Sequence, residues 1–340
     1  MNKYVIATKI KSFTDQIGIT NILRQGNSLY EYLFAKTDLQ KNIVFHDKHL
    51  GRRCFLLGTS ISLNNINLKL LSNEIVMSGN FIFHHEEINK LHLSYYFLSE
   101  PFFNLIRCSK NSVFWNREID SESKIIPYLT LNKEPFISSV EPKALFPETD
   151  NKLNDSTKIF LHSTSKYFVT KNKIFKNKDV FYTLGGDSMI STKKQAIDLT
   201  KRISFQDGTL FTMIAAAMYM GIKEIYLIGM DYSLKPTIEF HFYDSPYFSK
   251  CLSKEIAYDM IRKIADTRKI EIYSIEETDE YYKPIFIGRN GDYSRHAIVQ
   301  ELADSMGIKI YNLTPPGFES PIYKKISWEE VLSKMNSGSL

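Results

Sequence analysis

An apolar helix, a glycine and an apolar strand follow one another almost without a loop: Leu210 to Met220, Gly221, then Glu224 to Gly229. A helix carrying Ala215, Ala216 and Ala217 can lie close on a sheet, and a glycine stops it by taking the left-handed conformation past its last turn. The strand that follows at once is apolar enough to be buried. This unit predicts an α/β fold, a doubly wound and mostly parallel Rossmann-like sheet.

Further strands are expected at Cys54–Leu57, Ile75–Gly79, Tyr95–Leu98, Ile159–His162, Ile270–Ile275 and Ile308–Tyr311, with helices at Ser253–Arg268 and His296–Met306. The first three strands are spaced as βα units. Residues 104–178 break into short apolar runs, prolines and lysines, and read as an irregular insertion around the sheet. The expected organisation is an N-terminal helical extension over 1–50, a Rossmann-like domain over 51–325 with a lid at about 233–295, and a C-terminal tail over 326–340 that carries one more helix.

Length and charge narrow the functional classes. At 340 residues with 43% hydrophobic and 24% charged side chains, the chain can bury a large core. Its formal net charge of +5 suits an anionic small ligand or loose attachment to an acidic membrane surface, and falls short of a nucleic-acid footprint. The densest basic run, Lys166 to Lys178 with five lysines, reads as a solvated face. Cys54, Cys108 and Cys251 have no CxxC spacing, which argues against a disulfide framework or a zinc site. Met1 to Lys11 lacks the apolar centre of a signal peptide and no window reaches the length of a membrane span, so a cytoplasmic location is expected, with room for peripheral contact with the inner membrane.

An open α/β sheet holds its ligand beyond the C-terminal ends of its strands. The residues there are Gly58, Thr59, Ser60 and Ser62, then Asn80, then Ser99 with Glu100, then Asp231. A strand running into a Gly-Thr-Ser turn places backbone N–H groups where a phosphate could sit. Asn80 reads either as a turn residue or as an amide holding a base or ribose hydroxyl. Gly208 and Thr209 open the alanine-rich helix, as a plain N-cap or as an anion cradle. Asp231 has no DxD partner, so a cap or a ribose contact is favoured over a metal. The eight histidines form no HxH or HExxH group, and no metal or other cofactor is expected. His241 and His296 lie in segments where a near-neutral imidazole could take a proton from a sugar hydroxyl, or could simply pack.

Three blocks in order, CFLLGTSISLNNINLKLLSNEIVMSGNFIF, GTLFTMIAAAMYMGIKEIYLIGMDYS and GIKIYNLTPPGFESPIYKKISWEEVL, resemble bacterial glycosyltransferases of the family 42 sialyltransferase type and the related domain-of-unknown-function 115 glycosyltransferases. The resemblance implies a GT-A-like variant of the fold that binds a nucleotide-sugar. The family's first loop, GNGPSL, is GTSISL here: Gly58, Ser62 and Leu63 match, while Thr59 and Ser60 replace its asparagine and second glycine. Asn80 matches the family's strand-end asparagine, and Glu100 falls where another asparagine is usual, a change that points to an unusual donor.

The resemblance further implies donor binding at Gly208 and Thr209, and an active-site tyrosine at Tyr232. The family's lid histidine has no direct counterpart: its Ile-Gly-His element is closest as a string to Ile287-Gly288-Arg289, and by its place ahead of the helix Ser253–Arg268 it falls near Phe248-Ser249-Lys250. An arginine is no base at neutral pH, though it can bind a phosphate or carboxylate. His241 is the first substitute and His296 the second, with Tyr243 beside His241 assisting the departing phosphate. The implied activity is metal-independent, inverting transfer of sialic acid or a related acidic sugar. The donor would be a nucleotide-sugar, CMP-linked by preference, and the acceptor a surface glycan or glycoprotein; a homo-oligomer is compatible with this. A non-catalytic nucleotide- or sugar-binding scaffold in polysaccharide assembly is the alternative. A pterin-pyrophosphate-transferring kinase ranks last, because Glu100, Asp187 and Asp231 show no pairing for magnesium.

Overall fold

The computed structural model describes residues 32–80, 82–85, 87–88, 91–98, 152–185, 196–203, 208–230, 292–313 and 322–336. Its centre is the helix, glycine and strand unit. The helix spans Thr209–Tyr219 and the strand Glu224–Ile228. Gly221, at φ +78°, donates its N–H to Met218 O, and Ile222 donates to Ala217 O, which satisfies the helix's last carbonyls in a Schellman turn.

Eight strands form one sheet: β1 (Arg53–Leu57), β2 (Val76–Gly79), β3 (Tyr95–Leu98), β4 (Lys158–His162), β5 (Val180–Thr183), β6 (Glu224–Ile228), β7 (Lys309–Asn312) and β8 (Lys324–Lys325). Their order is 5-4-3-2-1-6-7-8 and every pairing is parallel. The helices are α1 (Lys166–Lys171), α2 (Thr209–Tyr219), α3 (Asp292–Ser305) and α4 (Trp328–Asn336). Side chains alternate across the sheet as a pleat requires. Cys54, Leu56, Met77, Phe97, Ile225 and Leu227 meet α2 and α3 on one face. Phe55, Leu57, Val76, Tyr96, Tyr226 and Ile228 meet α4 and the turns after β1 on the other. A parallel sheet covered on both faces explains why these strands read as unbroken apolar runs.

Three features differ from the sequence reading. The connections of the first strands are not α-helices: they contain the 3-10 turns Ile61–Asn65, Leu68–Leu71 and Ile82–His84. Their asparagines and serines compete for the backbone, as when Asn67 Oδ1 accepts from Lys69 N–H. Beyond the expected β4, the stretch read as irregular holds α1, and a strand the sequence did not announce, β5, follows it. Its lysines are partly engaged: Lys166 pairs with Asp38, and the Lys171 ammonium lies 5.6 Å from the Tyr167 ring centre.

Residues 32–40 are helical, with Ala35 and Leu39 in a small cluster with Leu184, and Lys41–Phe45 is a 3-10 turn whose Phe45 enters the main core. The Phe45 ring lies 4.6 Å from Phe181 and 5.0 Å from Phe160, while Asn42 Nδ2 donates to the carbonyls of Tyr182 and Leu199 at 2.8 Å each. At the other end α4 packs Val331 into the opposite face. Among the described residues no helix is long and apolar enough to cross a membrane. The strand expected at Ile270–Ile275 and the helix at Ser253–Arg268 lie outside the described residues.

Candidate functional site

The strand order reverses between β1 and β6: the chain runs outward from β1 through β5, then returns to build β6 to β8 on the other side. A reversal of this kind opens a crevice at the strands' C-terminal ends, because the loops leaving the two central strands run in opposite directions. Two glycines meet there. Gly58 donates its N–H to Ile228 O at 2.7 Å, and Ser60 N–H donates to Gly229 O at 3.2 Å. A Cβ on Gly58 would sit 2.3 Å from Gly229 O, and Gly229 itself holds φ at +68° with Gly58 O only 3.1 Å from where its own Cβ would be.

This closure corrects part of the sequence reading. The N–H groups of Gly58 and Ser60 were expected to await a phosphate, but they are spent on the end of β6. Thr59, half-buried between them, remains at the loop. Ser62 is fully buried, so its hydroxyl belongs to the packing beneath the loop and not to the crevice surface.

One strand away, β2 ends in Gly79 and Asn80. The backbone turns sharply, with Asn80 at φ 51°, a conformation asparagine tolerates better than most residues. Three bonds hold it: its N–H donates to Phe97 O at 3.1 Å, its carbonyl accepts from the Tyr96 hydroxyl at 2.7 Å, and its Oδ1 accepts from the Thr209 hydroxyl at 2.8 Å. The Asn80 Nδ2 is left as a donor without a partner among the described residues. Gly79 makes the approach possible, since a Cβ there would lie 2.3 Å from Phe97 O and 2.5 Å from Thr209 Cγ2.

Thr209 is the first residue of α2, and the cap before it is Gly208, which has no side chain to satisfy the helix's leading N–H groups. The structure thus joins Asn80 to Thr209 and sets an uncapped helix start beside them. A helix N-terminus without a side-chain cap and an amide donor together favour an anionic or carbonyl-bearing ligand.

His296 sits elsewhere than a loop. It lies in α3, only 2% exposed, with Nδ1 2.7 Å from the Tyr323 hydroxyl and its ring 4.6 Å from Phe211 in the first turns of α2. It props the start of α2 from behind. Ser99, Glu100, Asp231, Tyr232, His241, Tyr243, Gly288 and Arg289 lie outside the described residues.

The sequence reading missed four residues near the strand ends. Tyr96 looked like one more residue of an apolar strand, yet its hydroxyl fixes the Asn80 carbonyl. Gly79 and Gly229 looked like ordinary strand ends, yet both permit backbone contacts. A histidine also ends β4: His162 Nδ1 lies 2.8 Å from Thr164 Oγ1 and accepts from the Thr164 N–H. Burial, and after it the Arg202 charge, lowers its pKa to about 4, so the imidazole is neutral near pH 7. Among the described residues no group of His, Cys, Asp and Glu could hold a metal ion.

The chain matches no protein-family model and no curated protein. Solved structures do match, among them those of a sialyltransferase. The sialyltransferase CstII from Campylobacter jejuni, in complex with a substrate analogue, cytidine-5'-monophosphate, is 15% identical, covering 84% of this chain and 98% of that one at a TM-score of 0.29. The sialyltransferase CST-II in complex with a trisaccharide acceptor and CMP is 16% identical, covering 84% and 99% at a TM-score of 0.27. These scores are too low to carry one residue onto another.

Proposed function

We propose that the chain is a metal-independent, inverting glycosyltransferase that moves sialic acid or a related acidic sugar from a CMP-sugar to a surface glycan or glycoprotein. The observation that carries this reading is the Asn80–Thr209 pair, set at the uncapped start of α2 beside the glycine-closed reversal of the sheet. In this reading the leading N–H groups of α2 and the Thr59 hydroxyl take the donor phosphate. The free Asn80 amide holds the base or ribose. Ser99, Glu100, Asp231, Gly288 and Arg289 complete the donor pocket.

The acceptor oxygen attacks the anomeric carbon as the bond from that carbon to the phosphate oxygen breaks. His241 takes the hydroxyl proton and CMP leaves with the bonding pair, its new charge met by Tyr232 and Tyr243. Fixed N–H and O–H donors can stabilise one departing phosphate. The test is CMP release from CMP-sialic acid with and without EDTA. Turnover that survives EDTA supports the reading, and a requirement for manganese overturns it.

One observation favours a second reading, a nucleotide-binding scaffold without transfer: the burial of His296 leaves a single candidate base. Replacing His241 with alanine separates the two. An enzyme loses turnover and keeps CMP binding, whereas a scaffold has no turnover to lose.

A further inference from the structure

A second concavity opens at the same edge of the sheet. It encloses about 600 Å³, within the range of small-molecule sites, and is built from the segments that leave β1, β7 and β8. The turn Ile61–Asn65, which begins in the Gly58 loop, ends at its wall. Its floor is tied to the neighbouring strand ends, since Leu313 N–H donates to Leu227 O at 2.9 Å and Ile326 N–H to Asn312 O at 3.2 Å.

The lining has two characters. Leu313 and Ile326 are buried and apolar, and the part-buried Trp328 joins them in the lining, its ring in a T-shaped contact with Phe55 at 6.3 Å between centres. Around it lie two amides, Asn65 and Asn67, one ammonium, Lys325, and the Glu329 carboxylate. An indole and two apolar side chains in one lining with both donors and acceptors match a ligand that has an apolar face and a rim of hydroxyls.

The charge pattern selects against an anion. Glu329 and Glu330 occupy the first turn of α4, where they offset the helix's positive end. One of its leading N–H groups is engaged as well: Glu330 N–H donates to Ser327 Oγ, and Ser327 N–H to the Glu330 carboxylate, in a capping box. Two carboxylates against one ammonium leave little for a phosphate.

We propose that this pocket binds neutral pyranose units, and that they belong to the acceptor glycan. The second half of that statement rests on the transferase reading; the binding itself does not. Reach supports the connection, because one short turn links the Gly58 loop to the pocket wall.

The chain has two tryptophans, so a Trp115→Phe variant leaves Trp328 as the sole indole reporter. This full-length protein is titrated to 50 mM with lactose, cellobiose and N,N′-diacetylchitobiose, and with 3′-sialyllactose as the anionic control, on the order of the weak affinities such open sites show. The expected result is a saturable change in emission with at least one neutral disaccharide, at least threefold tighter than with the sialylated sugar. Glu329→Ala should weaken that binding at least threefold in protein that still melts cooperatively. Trp328→Ala, followed by ligand-observed NMR, should abolish it.

No saturable response to any neutral sugar, in protein that CMP still stabilises, overturns the pocket and leaves the nucleotide reading intact. A response of Trp328 to CMP in place of the sugars also overturns it. Sugar binding that Glu329→Ala and Trp328→Ala leave unchanged lies elsewhere and overturns it too. Sugar binding in protein that ignores CMP supports the pocket while removing the transferase role.

Discussion

Thr209 donates its hydroxyl to Asn80 Oδ1 at 2.8 Å, across 129 residues of sequence, and so ties the start of α2 to the end of β2. A part-buried hydrogen bond of this type contributes about 1 kcal/mol net. Thr209→Val should lower stability by that amount in urea unfolding. In a double-mutant cycle with Asn80→Gly the two losses should fall short of additive, since each removes the same bond.

Asn80 at φ 51° gives a second contrast. Asn80→Gly keeps a residue at ease in the left-handed region, whereas Asn80→Ala adds about 1 kcal/mol of backbone strain. Alanine should therefore melt below glycine, although both lack the amide.

Gly58 is set by crowding. Gly58→Ala would bring a methyl to 2.3 Å from Gly229 O, backbone against backbone, and should cost roughly 1–3 kcal/mol or more. Gly51→Ala is the control, with φ +77° but open space around the new methyl, and should cost about 1 kcal/mol. Melting temperatures of the two variants compare them directly.

His296 is expected to act through packing. His296→Ala opens a cavity behind Phe211 and removes the bond to the Tyr323 hydroxyl, so it should lower stability by about 2–4 kcal/mol. His241→Ala should abolish transfer without a comparable loss of stability. Paired melting and turnover measurements on the two variants check the division.

Acid should destabilise the fold in a defined window. His162 has a folded pKa of about 4 against 6.5 for the free side chain, and His49 is lowered to about 4 by burial and by Lys48 and Arg52. The unfolded chain takes up these protons below pH 6.5 while the folded chain does not until about pH 4. Stability is thus full above 6.5 and falls as the pH drops toward 4, at up to about 1.4 kcal/mol per pH unit for the buried His162. Melting curves of His162→Gln between pH 7 and 4 should show a shallower decline than the parent's.

The central strands and the helix at Thr209 were legible because burial on both faces leaves an apolar run with nothing to interrupt it. β5 was hidden: Val180–Thr183 is short, half-buried at an edge and preceded by lysines. β8, only Lys324 and Lys325, has no apolar signal at all, since its backbone alone joins the sheet. The site was legible as a set of positions and not as a set of roles. Gly58 and Asn80 were placed correctly at strand ends, but the partners that define them, Gly229 O and the Thr209 hydroxyl, come from across the sheet. Nothing local to Ser62 indicates that its loop folds straight into a 3-10 turn and buries it.

The most direct test of the nucleotide crevice is the thermal shift of the full chain with CMP, UDP and GDP, alongside Asn80→Gly. The account predicts stabilisation by CMP alone, about 2.7 kcal/mol at a hundredfold excess over the dissociation constant, and its loss in the variant. Preference for UDP or GDP, or CMP stabilisation that Asn80→Gly leaves untouched, would contradict it.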